Sequence, residues 1–458
     1  MSNRKLGRVV VIGGGASGVL AACHLWRIAD GAVAVTIVEP RPELGRGLAF
    51  GTRFDGHLLN VRAGQMSALP DRPDDFQTWL AASGARLAAD PRDPLCFVPR
   101  GLYGRYLDEL VAHLPRPTPA APAGLEHVRQ QCVGLLERDD GVTALLADGT
   151  TVEAQAAILA TGNEPAASIV SPVAMSPWDD ATWAAIPRDG LVLTVGTGLT
   201  MADSVLSLLA TGHRGPIVAL SRRGLLPQPH GAAPPLALDL ADIPLGTSIA
   251  YLTRWFRRLL RDAAGRGYGW RSVFDGLRPH LRAIWQNLPP DSRARFLRHA
   301  RPLWDVHRHR LAPSVDAALH RARGGGQLTI VAGRLVSAEA TAEGAVVRYR
   351  RRGGGELVEL RPAAVIECIG LASDPLGSAN PLLRDLLARG AARPDLLGIG
   401  LDVTRDGALI DATGQPSTRI FAVGPPARAA FWEITSIPDI RTQSADTARK
   451  IWQELPLR

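Results

Sequence analysis

The glycines at positions 13, 15 and 18, with Glu39 standing 21 positions after the last of them, have the types and spacing to hold a dinucleotide. Gly13 permits a tight turn, Gly15 lets the backbone approach a pyrophosphate, and Gly18 lets a helix pack close to a strand. That helix then points its unpaired N–H groups at the negative charge. Gly14, Ala16 and Ser17 complete the loop. A glutamate ending the next strand accepts hydrogen bonds from both ribose hydroxyls and repels a 2′-phosphate. The alternative is a glycine-rich turn that binds no nucleotide.

The arrangement recurs in mid-chain. Gly196-Thr197-Gly198-Leu199-Thr200-Met201 follows a strand pattern over Leu191–Val195 and precedes a helix pattern over Ala202–Ala210. Ile217–Leu220 reads as the next strand and runs into Ser221-Arg222-Arg223. Gly13 and Glu39 are 26 positions apart, as are Gly196 and Arg222, so an acid in the first copy corresponds to a base in the second. That exchange is expected where a 2′-phosphate replaces the 2′-hydroxyl, because a guanidinium forks onto phosphate oxygens. NADPH is therefore the expected ligand of Gly196, Thr197, Gly198, Thr200, Arg222 and Arg223. Met201 replaces the third glycine and loosens the helix contact. Two surface arginines after a strand are the alternative.

The elements that must position these residues also come in two sets. Arg8–Ile12, Ser17–Ala29 and Ala34–Glu39 read as strand, helix and strand. Short alternating segments follow at Glu126–Leu136, Thr143–Leu146 and Thr151–Glu153, then the apolar strand Ala157–Leu159 ending in Ala160-Thr161-Gly162. The second set repeats this with Leu328–Val336, Ala345–Tyr349, Leu357–Leu360 and Val365–Gly370. Each set predicts a parallel nucleotide-binding sheet and a three-stranded meander. A last strand, Ile420–Gly424, precedes a helix near Ile440–Trp452. The fold class is α/β: two Rossmann-like three-layer domains with β-meanders, plus a helical insertion. The expected boundaries are 1–168 with 365–458 for the first domain, 169–230 with 314–364 for the second, and 231–313 for the insertion.

Composition narrows the function classes. Of 52 basic residues only Lys5 and Lys450 are lysines, and the formal charge is +8. The arginines are scattered and accompany no nucleic-acid motif, so no nucleic-acid partner is expected. Cys23, Cys96, Cys132 and Cys368 form no CxxC pair, which argues against a zinc site or a dithiol redox centre. No apolar run is long enough to span a bilayer, and the N-terminus has no signal-peptide pattern. A cytoplasmic protein is expected, and association into a homo-oligomer stays open.

This order of motifs resembles the two-dinucleotide-binding-domain flavoproteins. The resemblance implies FAD in the first unit and NAD(P)H in the second. It implies that Ala160, Thr161 and Gly162 pass near the FAD pyrophosphate, that Val133 offers backbone to the adenine, and that Gly424 lies by the ribityl chain. The aspartate common after that last glycine is Pro425 here. A narrower likeness rests on Glu39-Pro40-Arg41-Pro42-Glu43-Leu44-Gly45-Arg46-Gly47, His57–Val61, Met66-Ser67, Phe97–Arg100, Trp304–Arg310 and Trp432-Glu433-Ile434-Thr435. These stretches are similar to bacterial FAD/NAD(P)-binding proteins called YdhS-like, near the class B flavin monooxygenases that hydroxylate nitrogen. The Baeyer–Villiger fingerprint F-x-G-x-x-x-H is missing, since the stretch Met175–Trp183 has no histidine.

The resemblance implies hydride transfer from NADPH to flavin N5. Reduced flavin and O₂ then form a C4a-hydroperoxide that oxygenates a small nitrogen or sulfur nucleophile. An NAD(P)H:acceptor reductase and a non-catalytic redox sensor are the alternatives. Asn60, Arg100 and His307 are the candidate catalytic or substrate-facing residues. Glu39, Pro40, Arg41, Arg46, Asn60, Met66 and Ser67 are candidate flavin contacts, Met66 by packing on the ring. Loop packing or a structural arginine would account for each equally. The insertion carries Trp255, Trp270, Trp285 and Trp304, with Arg254, Arg257, Arg258 and Arg261 opposite the apolar side of one helix. It reads as a lid or substrate module, with a membrane-contact or dimer helix as the rival. Asp305, His307 and His309 are too few for a metal site, and no metal is expected.

Overall fold

A computed structural model describes residues 7–87, 89–372 and 374–454. The first apolar run, Gly7–Ile12 (β1), is a strand because Val9, Val10 and Val11 are buried without alternation, as a parallel strand covered on both faces requires. Helix Ala16–Ile28 (α1) returns the chain to Val33–Val38 (β2). After Asp75–Ala82 (α2) and Arg100–Ala112 (α3) comes Gly124–Val128 (β3). Cys132–Glu137 (β4), Val142–Leu146 (β5) and Thr151–Ala154 (β6) form a separate antiparallel meander. Ala156–Leu159 (β7) then re-enters the first sheet beside β1.

The second unit repeats the plan with one difference. Ala174–Met175 (β8), Asp180–Ala185 (α4), Val192–Val195 (β9), Leu199–Ala210 (α5) and Ile217–Ser221 (β10) lead into the insertion. The insertion contains Ile249–Gly265 (α6), Trp270–Leu277 (α7), Leu281–Asn287 (α8), Pro290–Arg295 (α9) and Arg301–Arg308 (α10). Pro313–Gly324 (α11) brings the chain back to Leu328–Thr341 (β11), Gly344–Arg351 (β12), Leu357–Leu360 (β13) and Ala364–Glu367 (β14). Pro381–Ala388 (α12), Ala408–Ile410 (β15), Pro416–Ala422 (β16), Arg428–Phe431 (α13) and Ile437–Glu454 (α14) complete the chain. The first sheet has the order β15-β16-β7-β1-β2-β3 and the second β13-β12-β11-β10-β9-β14-β8.

Strand order reverses between β1 and β7 in the first sheet and between β9 and β14 in the second. Such switch points open a crevice at the carboxyl ends of the strands, and both glycine turns sit there. Three expectations need correction. Glu126–Leu136 is not one strand: Arg129–Gln131 interrupts it, so β3 joins the parallel sheet and β4 the meander. In the second unit β11 runs unbroken and pairs parallel with β10, then antiparallel with β12, so that meander is part of the main sheet. The expected boundary at 364/365 falls inside β14, which hydrogen-bonds to β9 and β8 and so belongs to the second sheet.

Candidate active site

The first turn is built so that side chains are excluded where a pyrophosphate would approach. Gly13 has φ +103°, and a Cβ there would lie 2.4 Å from Ala160 O. A Cβ on Gly18 would lie 1.9 Å from Gly13 O, so α1 abuts the turn itself. Gly15 begins α1 with no side-chain cap, leaving the first N–H groups for a ligand. Thr161 Oγ1 is buried without a partner beside the turn, and Gly162 adopts φ +73° in open space. From the other side Gly424 comes so close that a Cβ would meet Ser17 Oγ at 2.3 Å, and its N–H donates to Gln443 Oε1. Val133 is the extra residue of a bulge between Cys132 and Gly134, which frees its backbone from the ladder.

Glu39 is buried, and its carboxylate is fully engaged. Oε2 accepts from Gly14 N at 2.9 Å and from Arg41 at 3.2 Å; Oε1 accepts from Arg41 N at 3.1 Å and Arg41 Nε at 2.8 Å. Burial pushes its pKa up, but the Arg41 guanidinium and the Gly14 N–H outweigh that and hold it below the ordinary value. Ribose hydroxyls can reach Glu39 only by displacing Arg41, whose side chain is half-exposed. Pro40 is exposed, and Arg46 pairs with Glu43 at 3.1 Å. These features fit an adenine dinucleotide such as FAD.

The second turn has the same skeleton and the opposite charge. Gly196 has φ +118°, and a Cβ there would meet Cys368 O at 2.1 Å. Gly198 starts α5 without a side-chain cap and faces open space. Thr197 turns its hydroxyl away, to Leu225 O at 2.6 Å and Ser221 Oγ at 2.8 Å, leaving only backbone for a nucleotide. Met201 is fully buried where the first unit has Gly18. Arg222 is exposed and Arg223 half-buried, and neither has a partner among the described residues. Two uncommitted guanidiniums at this place fit a 2′-phosphate.

A cleft of about 230 Å³ lies where the first unit meets the start of α5, lined by Arg41, Gly47, His57, Arg100, Thr200 and Asp203. Arg100 does not wait for a substrate. It pairs with Asp203 of α5 at 2.7 Å, both side chains being mostly buried, and donates to Leu58 O at 3.0 Å. His57 crosses the same seam to Ser207 Oγ at 2.8 Å, and His230 Nε2 donates to Asn60 O at 3.0 Å. Asn60 is half-buried at this junction. Met66 and Ser67 are buried in the core, and Ser67 Oγ is consumed by Arg72 O at 2.6 Å. Both side chains are packed into the protein rather than facing the cleft.

The insertion is bolted to the segment between Gly424 and α14. Trp304 Nε1 donates to Glu433 Oε1 at 3.0 Å, Arg308 pairs with Glu433 at 3.2 Å, and Trp285 Nε1 donates to Ala429 O at 2.7 Å. Arg278 reaches both Gln65 Oε1 and Ser436 Oγ. Burial pushes Glu433 up, but Arg308 and His309 nearby hold it below the ordinary range. Burial and the charge of Arg308 lower Arg278 to about 10. The sequence motif Trp432–Thr435 pointed to this segment, but nothing local marked Glu433 as the hub.

Asp305, His307 and His309 diverge. Asp305 pairs with Arg301 at 3.2 Å; His307 stacks on Phe274 with ring centroids 5.5 Å apart; burial depresses His309 beside Glu433. Among the described residues no group of three such side chains could hold a metal. The four cysteines are buried and apart, and desolvation raises Cys23 and Cys368 to about 12 and Cys132 to about 11. Among the described residues no helix is long and apolar enough to cross a membrane.

Residues 10–164 match the family model for FAD-NAD(P)-binding. The whole chain superimposes on the reduced form of ornithine hydroxylase from Pseudomonas aeruginosa, with TM-score 0.66, 15% identity, 98% of this chain and 99% of that one. The fold is that of the flavin N-hydroxylases. The ornithine N-hydroxylase of Kutzneria sp. 744, solved with reduced FAD, NADP⁺ and L-ornithine, matches with TM-score 0.63 and 16% identity over 98% of this chain and 99% of that one. L-lysine 6-monooxygenase from Pseudomonas syringae matches with TM-score 0.63 and 15% identity over 96% and 97%. No curated protein matches by sequence.

Proposed function

We propose that the protein is an FAD-dependent, NADPH-using monooxygenase that oxygenates a nitrogen or sulfur nucleophile. The observation that carries this reading is the pair of similarly built glycine turns with opposite charge at matched spacing, Glu39 and Arg222, set in a fold shared along nearly the whole chain with N-hydroxylases. FAD would lie along Gly13–Gly18, with Glu39 at its ribose, Val133 at its adenine, and Ala160, Thr161, Gly162 and Gly424 around its pyrophosphate and ribityl chain. NADPH would lie on Gly196–Thr200, with its 2′-phosphate on Arg222 and Arg223. When bound, the flavin supplies hydride acceptance and oxygen activation. The chain's own contribution is orientation and exclusion of water. Arg100–Asp203 and His57–Ser207 hold the two turns in register, and the insertion covers the segment at Trp432–Ser436.

Stopped-flow mixing of the NADPH-reduced protein with O₂ tests the reading. A monooxygenase shows a long-lived transient that is neither reduced nor oxidised flavin and transfers oxygen once substrate is added. Immediate return to oxidised flavin with stoichiometric peroxide would overturn it in favour of an acceptor reductase.

A further inference from the structure

Helices α6, α7, α8 and α10 surround a cavity of about 590 Å³, a size typical of small-molecule sites. Its wall includes Leu252, Phe256, Trp270, Phe274, Ile284 and Trp432. Two of the wall tryptophans, Trp285 and Trp304, turn their polar edges away from the cavity. Trp285 Nε1 is spent on Ala429 O and Trp304 Nε1 on Glu433, so both show the cavity only carbon. Thr253 donates its hydroxyl to Ile249 O, and His307 Nδ1–H is held by Leu303 O at 2.8 Å. No carboxylate stands among the described wall residues, so a free amino acid would find no partner for its ammonium. Water filling this space would lack the two to four polar contacts that ordinarily hold it.

The rim has the opposite character. Leu303, in the wall, is 51% exposed, so the cavity reaches solvent there. Arg257 belongs to the wall, is exposed, and has no partner among the described residues. Arg254, Arg258 and Arg261 are exposed on the same helix, Arg254 over the Tyr251 ring at 5.8 Å. Arg257 is the one arginine that lines the cavity among the described residues, and an apolar interior with that cation at its edge selects a molecule with an apolar body and a negative end.

We propose that this cavity binds one anionic amphiphile from solution. Its alkyl or acyl chain would lie among Trp270, Phe274, Trp285 and Trp432, and its carboxylate or phosphate head would rest on Arg257. Binding stands independently of the flavin reading, and no oxygenation of this molecule is implied, because an alkyl chain with a carboxylate or phosphate head carries no nitrogen or sulfur nucleophile. Trp432 is shared between the cavity wall and the segment leading into α14.

Calorimetry on the holoenzyme with monomeric octanoate, decanoate and dodecanoate tests the proposal. Affinity should tighten about fourfold per added methylene, with a negative heat-capacity change. Dodecyltrimethylammonium, with the same chain and a cationic head, should bind about tenfold more weakly than dodecanoate, and Arg257→Glu should abolish that preference. Ala300→Trp fills the cavity from its wall and should remove binding. Leu303→Asp places a carboxylate at the exposed lip of the wall and should remove binding as well. Affinity indifferent to chain length, or retained in both blocking variants, overturns the proposal. So does binding to phosphatidylglycerol vesicles without binding monomeric dodecanoate, which would make α6 a membrane-contact helix. Self-association that dodecanoate fails to dissolve also overturns it. Flavin reduction by NADPH, followed in the same preparations, separates the two claims. Protein that is reduced but binds no dodecanoate sinks the amphiphile alone, and protein that binds but is not reduced sinks the functional reading alone.

Discussion

The two glycine turns share a backbone and differ in what surrounds it. In the first, Glu39 is buried, fully hydrogen-bonded and wedged against Gly14, while Gly18 lets α1 touch the turn. In the second, Arg222 and Arg223 are uncommitted, and a fully buried Met201 stands where the first unit has Gly18. A cofactor that stays bound is served by a preorganised, close-packed cradle. A nucleotide that must enter and leave is served by an open rim with free charges. The difference therefore supports the proposal that the first turn holds a resident group and the second a transient one.

The sharpest way to break the comparison is to exchange the packing. Gly18→Met drives a side chain into Gly13 O, and purified protein should lack flavin altogether, as read by its visible spectrum. Met201→Ala leaves a cavity costing about 2–5 kcal/mol in a denaturant titration, yet flavin should be retained. Next comes the seam. Arg100→Ala leaves Asp203 buried and unpaired, and stability should fall by about 3–5 kcal/mol; an unchanged unfolding midpoint would show that the two units do not depend on this pair.

Acidification probes the same seam more gently. Burial lowers His230 from 6.5 to about 4 in the folded protein. The unfolded chain binds the extra proton throughout that window, so this histidine's contribution is complete above pH 6.5 and is lost as pH falls towards 4. The loss amounts to about 3 kcal/mol at most. Unfolding midpoints measured from pH 7 to 4 should decline, and His230→Gln should flatten the decline.

Much of this was legible in the sequence because it is local. A glycine with positive φ, a Cβ-free approach and an acid ending a strand all announce themselves within 26 residues, and both turns formed where the spacing put them. What depends on distant partners was not. Arg100 gave no sign that Asp203 would claim it, nor Trp304 that Glu433, 129 positions away, would accept its N–H. Met66 and Ser67 had the right place in the chain for a flavin contact, but their burial is decided by tertiary packing. The break between β3 and β4, against the unbroken β11, turns on three polar residues whose effect emerges only when the strands choose partners.

The central claim is that the second turn reads a 2′-phosphate while the first keeps the flavin, and anaerobic flavin bleaching tests it most directly. NADPH should reduce the protein at lower concentration than NADH. Paired substitution of Arg222 and Arg223 by alanine should weaken NADPH by about 1.5–3 kcal/mol, leave NADH unchanged and leave the flavin content intact. Equal use of both nucleotides by the unaltered protein, or loss of flavin in the arginine variant, would contradict it.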